Sequence, residues 1–63
     1  MLVRIKENNK LAVFNSVVVS TPEKTIYRMH LIEDGIITNK LVYKDFAGFE
    51  ELADQSLLKK LKK

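Results

Sequence analysis

The chain has 63 residues, 46% of them hydrophobic and 30% charged, with 11 basic and 8 acidic side chains and a formal charge of +3. That composition is globular rather than disordered, and a chain this short hides only about 60% of the surface its unfolded form exposes. With no cysteine and one histidine it has neither a disulfide framework nor the soft ligands of a structural zinc site.

No apolar run approaches the roughly 20 residues of a membrane helix, and no signal-peptide pattern opens the chain. A single small cytoplasmic domain over residues 1–63 is expected, with no metal and no cofactor. The charge is unevenly placed. Lys59, Lys60, Lys62 and Lys63 close the chain, while the other 7 basic residues share residues 1–58 with all 8 acids. The body therefore carries −1 and the tail +4. A nucleic-acid footprint ordinarily spreads over one face or lines a groove. Lysines at the end of a helix instead complement its dipole, by roughly 0.3–1 kcal/mol each at low salt.

In chain order, Leu2–Lys6 reads as a short alternating strand. Asn8-Asn9 follows as a two-residue hairpin turn, because Asn tolerates positive φ. Leu11–Ser20 is a long run rich in β-branched residues, Val17, Val18 and Val19 among them. Thr21–Lys24 is a turn, with Pro22 supplying the fixed φ of its second position. Thr25–Glu33 is the third strand, Asp34-Gly35 the strongest hairpin signal, and Ile36–Lys44 the fourth strand. From Asp45, a candidate N-cap, the period changes. Phe46, Phe49, Leu52, Ala53, Leu57 and Leu61 fall on one broad side of a helical wheel, with Glu50 and Lys60 intruding and Leu58 off it. The expected fold is α+β: a four-stranded antiparallel meander over 2–44, then one C-terminal helix over about 46–61.

Those turns imply a register. It sets Val3 opposite Phe14, Ile5 opposite Ala12, Ser16 opposite Met29, and Tyr27 opposite both Val18 and Val42. One face then collects Val3, Ile5, Ala12, Phe14, Val18, Tyr27, Met29, Leu31 and Val42. The other face collects Leu2, Leu11, Val13, Val17, Val19, Ile26, Ile32, Ile37, Leu41 and Tyr43, and so does not alternate with polar residues as a one-sided sheet should. Four strands span roughly 19 Å and one helix about 10–12 Å, so cover runs short. The sheet curls on itself, or a second copy or another protein covers Val13, Val17, Val19, Ile26, Ile32, Ile37, Leu41 and Tyr43.

The most site-like polar feature is a row formed by Asn15, His30 and Asn39 on that second face, with Arg28 two positions from His30. Histidine changes charge within the physiological range and can switch an interface. The plainer reading is hydrogen bonding that sets strand register. Ser16 and Ser20 are expected on the face opposite His30, and only Gly35 and Gly48 exist to build a phosphate loop. No catalytic residue is therefore assigned, and the chain reads as a non-enzyme.

Two function classes remain. The first is a small interaction or regulatory module acting through its apolar sheet face as a homodimer. In layout and length (hairpin, further strands, C-terminal helix, lysine tail) the chain also resembles small archaeal chromatin proteins with an SH3-like barrel, although it lacks their tryptophan and their even spread of lysines. That resemblance implies an alternative fold, a small barrel with a C-terminal helix. The second function class, read from the residues themselves, is a nucleic-acid-binding module, a small barrel or an open sheet, using Arg4, Lys6, Arg28, Tyr43, Lys59, Lys60, Lys62 and Lys63.

Overall fold

β-Branched and apolar side chains build the first four strands over nearly the expected residues. In the computed structural model, which describes residues 1–62, β1 is Leu2–Ile5, β2 Leu11–Ser20, β3 Thr25–Glu33 and β4 Ile36–Asp45. A fifth strand, β5, is Phe49–Glu51. Two 3-10 turns, Phe46–Gly48 and Ser56–Lys60, complete the chain. All strands pair antiparallel in one sheet of order β4-β3-β2-β1-β5.

The C-terminal helix expected over about 46–61, in the meander and barrel versions alike, does not form. Asp45 makes no side-chain capping bond, and Gly48 stands where the first helical turn would need propensity. An isolated helix of this length is marginal without a face to pack on. Strand pairing offers more. Phe49–Glu51 lies against β1, pairing Ile5 with Phe49, Arg4 with Glu50 and Val3 with Glu51. It thereby satisfies main-chain groups of a strand three of whose four residues are buried. Lysines 59 and 60 end a 3-10 turn and not an α-helix, so the dipole account of the tail lapses.

The turns at Thr21–Lys24 and Asp34-Gly35 give the expected local pairs, Ser20 with Thr25 and Glu33 with Ile36. Asp34 and Gly35 have φ of 53° and 73°, the two positive values a type I′ hairpin requires. The first turn is longer than expected. Lys6–Asn9 forms a four-residue loop with Asn9 at φ 60°, which sets Val3 opposite Ala12, not Phe14. Bulges then displace the longer ladders. Two in β2, at Phe14/Ser16 and Val17/Val19, set Phe14 against Met29, Ser16 against Arg28 and Val17 against Tyr27. One in β4, opposite Leu31, sets Val42 against Met29 and Lys44 against Tyr27. A displacement of two keeps a side chain on its face, whereas one residue reverses it. Most face assignments therefore stand. The exceptions lie between the β2 bulges: Val17 shares the face of Tyr27, Ser16 shares that of Arg28, and Val18 is exposed.

The sheet is rolled. β5 lies three strands from β3 in the pairing order, which is about 14 Å on a flat sheet. Yet the rings of Phe49 and Tyr27 meet edge-on at 5.3 Å between centroids. The inner face thus closes on Val3, Ile5, Ala12, Met29, Leu31 and Phe49, with Tyr27 and Val42 packed against them. β4 and β5 do not pair with each other. The Phe46–Gly48 turn spans the gap, and Gly48 O accepts from Lys6 N at 3.0 Å.

The chain after β5 crosses the outer face. Gln55 anchors the crossing: its Oε1 accepts from Leu2 N at 2.6 Å, and its Nε2 donates to Leu2 O at 2.9 Å and Leu52 O at 2.6 Å. At the far side, Lys62 N donates to Gly35 O and Ile37 N donates to Lys62 O. Leu57 and Leu61 stand with Leu11 and Ile32 around one shallow hollow, and Leu2 is completely buried. Part of the cover expected of a helix or a partner is this segment.

Candidate functional site

The crossing divides the outer face in two. Its covered half holds Leu2, Leu11 and Ile32, with half-buried Val13 and Ile37 beside them. Its open half holds Val19, Leu41 and Tyr43, which are 41%, 43% and 49% exposed. Half-buried Ile26 and Arg28 lie between them on β3. Of the eight residues expected at an apolar interface, these four aliphatic and aromatic ones form a contiguous set. Val17 is exposed but stands on the inner face.

Leu41 and Tyr43 also lie on an edge strand. β4 is at the end of the sheet, and the chain's own C-terminal segment bridges only its start, at Ile36 with Lys62. No strand among the described residues pairs with the outer edge of Lys40–Asp45.

Of the polar row, Asn15 and His30 are joined to each other, and they meet at the bulges. Asn15 Nδ2 donates to His30 Nε2 at 3.0 Å, and His30 Nδ1 donates to Thr38 O at 3.1 Å. Thr38 Oγ1 donates to Leu31 O at 2.7 Å and accepts from Lys40 N at 3.2 Å. One imidazole therefore ties the β2 bulge, where Asn15 sits, to the β4 bulge, where Thr38 sits. The threonine hydroxyl serves backbone groups that the irregular ladder would leave unpaired. Both ring nitrogens are engaged, so this histidine has none free for proton transfer to a substrate. Asn39 lines the same hollow, of about 360 Å³, as His30 and Thr38. Arg28 donates to Ser16 Oγ at 3.0 Å, which puts Ser16 on the His30 side of the sheet, contrary to expectation.

The basic residues named for nucleic acid do not converge. Arg4 is paired with Glu50 across β1 and β5, and Arg28 holds Ser16. Lys6 borders a hollow lined by Phe14, Tyr27 and Phe49, Lys59 and Lys60 are exposed at the second 3-10 turn, and Lys62 bridges β4. Lys63 lies outside the described residues. Two further bases are held in ion pairs, Lys40 with Glu33 at 3.0 Å and Lys44 with Glu7 at 3.5 Å. Exposed pairs of that kind contribute about 0–1 kcal/mol each.

Three features escaped the sequence. Thr38 and Gln55 carry no local signal, since their partners are backbone groups far along the chain. Phe46, 75% exposed and packed edge-on against Phe49 at 5.9 Å, was assigned to a helix face. Among the described residues no helix is long and apolar enough to cross a membrane. Compared with protein-family models, curated proteins and solved structures, the chain matches none.

Proposed function

We propose that this chain is a small, non-enzymatic, cytoplasmic interaction module that self-associates through the open half of its outer face. One observation carries the reading: Leu41 and Tyr43 are exposed on a stretch of the β4 edge that no other strand bridges among the described residues. Unpaired edges template strand addition, and a domain that leaves one open and apolar is built to be joined there. A second copy supplies a matching edge. Residues opposed in an antiparallel pair share a face, so a two-fold pair centred on Val42 sets Leu41 against Tyr43 of the second copy, twice.

Sedimentation equilibrium tests this. Wild type passes from monomer to dimer with concentration, and Tyr43→Lys stays monomeric with an unchanged melt. A strict monomer at the highest attainable concentration overturns the reading. The nucleic-acid alternative now rests on the exposed Lys59, Lys60 and Lys62, together with Lys63. It predicts binding to mixed-sequence DNA whose log affinity falls with log salt by about 0.7–0.9 per phosphate contacted. That binding disappears when Lys59–Lys63 is deleted.

A further inference from the structure

The segment that crosses the outer face is fastened at two places of unequal strength. At Gln55, three side-chain hydrogen bonds reach Leu2 and Leu52. At Lys62, one isolated parallel bridge joins it to β4: Ile37 N donates to Lys62 O at 2.7 Å and Lys62 N to Gly35 O at 3.2 Å. Between the two, Ser56–Lys60 is five residues of 3-10 helix, none of them buried. Such runs seldom exceed three or four residues. Leu57 and Leu61 stand over Leu11 and Ile32 across a hollow of about 540 Å³ instead of filling it. Few buried apolar contacts mark the part of a fold that opens first. Gln55 holds the near end by itself, so residues 56–62 can leave the sheet without stripping Leu2 of its partners.

What the far end holds is sheet edge. Gly35 O and Ile37 N–H meet Lys62 on the side of β4 away from β3, from which another strand would pair. Opposed residues of an antiparallel pair share a face, so a two-fold pairing of β4 with β4 of a second copy is centred on a residue. Centred on Val42, it runs from Asn39 to Asp45 and stops short of the bridge. Centred on Leu41, it runs from Ile37 to Asp45 and is longer, but Lys62 already occupies the place beside Ile37. Covering an edge with the chain's own segment is one way folded proteins limit strand addition. We propose that residues 56–62 are a strap that competes in cis with a second copy of this chain for the start of β4. The strap confines pairing to the shorter register and weakens it. Its release lengthens the edge and uncovers Leu11 and Ile32 on the same face as Leu41 and Tyr43. The inference rests on the self-association proposed above and names what restrains it.

Sedimentation equilibrium on the full chain compares wild type with two variants that keep Gln55. Lys62→Pro has no N–H to give Gly35 O. The double variant Leu57→Ser, Leu61→Ser loosens the packing and leaves the bridge residues in place. Both are expected to dimerise about tenfold or more tightly than wild type, roughly the worth of one or two added main-chain hydrogen bonds. Hydrogen exchange is expected to leave the Leu2 and Met29 amides of both variants protected. In wild type the Ile37 amide is expected to exchange before that of Leu2, because the Lys62 end opens first. Unchanged or weaker dimerisation in either variant overturns the strap. So does an Ile37 amide protected as long as that of Leu2, or loss of Leu2 protection in either variant. A monomeric wild type with two dimerising variants leaves the strap standing and refutes wild-type self-association. Three strict monomers refute both.

Discussion

The covering of the outer face depends on Gln55, and Gln55→Ala tests the dependence. The side chain accepts from Leu2 N and donates to Leu2 O and Leu52 O, and Leu2 is completely buried. Leu2 O keeps a second donor, Leu52 N at 3.2 Å, and Leu52, half-buried, can turn its carbonyl to water. Leu2 N–H has no comparable substitute. Orphaning a buried donor costs about 1–3 kcal/mol, and each further bond lost about 0.5–1.5 kcal/mol. The expected loss is therefore about 2–4 kcal/mol. A domain of this size has roughly 3–9 kcal/mol in all, at about 0.05–0.15 kcal/mol per residue. Urea unfolding followed by circular dichroism should show the loss directly, and the melting temperature should fall by about 10–25 °C. Hydrogen exchange should localise the effect, with Leu2 and the Ile37–Lys62 bridge losing protection before the β2–β3 pairing does. A loss below about 0.5 kcal/mol, with Leu2 still protected, would refute the idea that this one amide holds the crossing segment down.

Met29, completely buried on β3, should cost about 2–5 kcal/mol as Met29→Ala, enough to unfold much of the population at 37 °C. A melt within a few degrees of wild type would show that the core collapses around the gap. Thr38→Val preserves shape but removes the hydroxyl that serves Leu31 O and Lys40 N. A loss of about 1–3 kcal/mol is expected, together with altered amide shifts at His30 and Asn15, and unchanged shifts there would contradict the bulge-clamp account. The Ser56 hydroxyl, and then the Ser56 amide, hold the Asp54 carboxyl below its usual value of 3.8. Its folded pKa lies below the unfolded one, so its stabilisation is present above the ordinary carboxylate range and is lost as pH falls through the folded value. Asp54→Asn should remove that acid-dependent component, and a carboxyl titration midpoint at or above the usual value would contradict it.

The outer-face polar row shows how far alternation carries. Asn15 and His30 were placed together correctly although the assumed register was displaced, because the displacement there preserves the face. Ser16 and Val17 were misplaced because they lie between two bulges, and a bulge leaves no trace in a run of polar and β-branched residues. Arg28 was legible as a neighbour of His30 but not as the partner of Ser16. The run of ring contacts from Phe14 through Tyr27 and Phe49 to Phe46 was hidden for a different reason. Phe14 and Tyr27 come from strands, Phe46 and Phe49 from a segment whose spacing also fits a helix. Only the roll of the sheet brings β5 within reach of β3.

By itself, the sequence determined the first four strands, the turns at Thr21–Lys24 and Asp34-Gly35, and which side chains of β1 and β3 face inward. Those are local matters: β-branched alternation, a proline, and a pair of residues that accept positive φ. It determined that a single helix could not cover both sheet faces. The tertiary structure decided what residues 46–62 become. Their apolar spacing satisfies a helical wheel, with Glu50, Lys60 and Leu58 as the misfits. Against that stand a buried β1 in need of hydrogen bonds on its second edge and an uncovered Leu2, Leu11 and Ile32. Phe49–Glu51 meets the first demand and the segment beyond it the second. Both demands arise only once the sheet exists, so no window of sequence around residue 50 contains them.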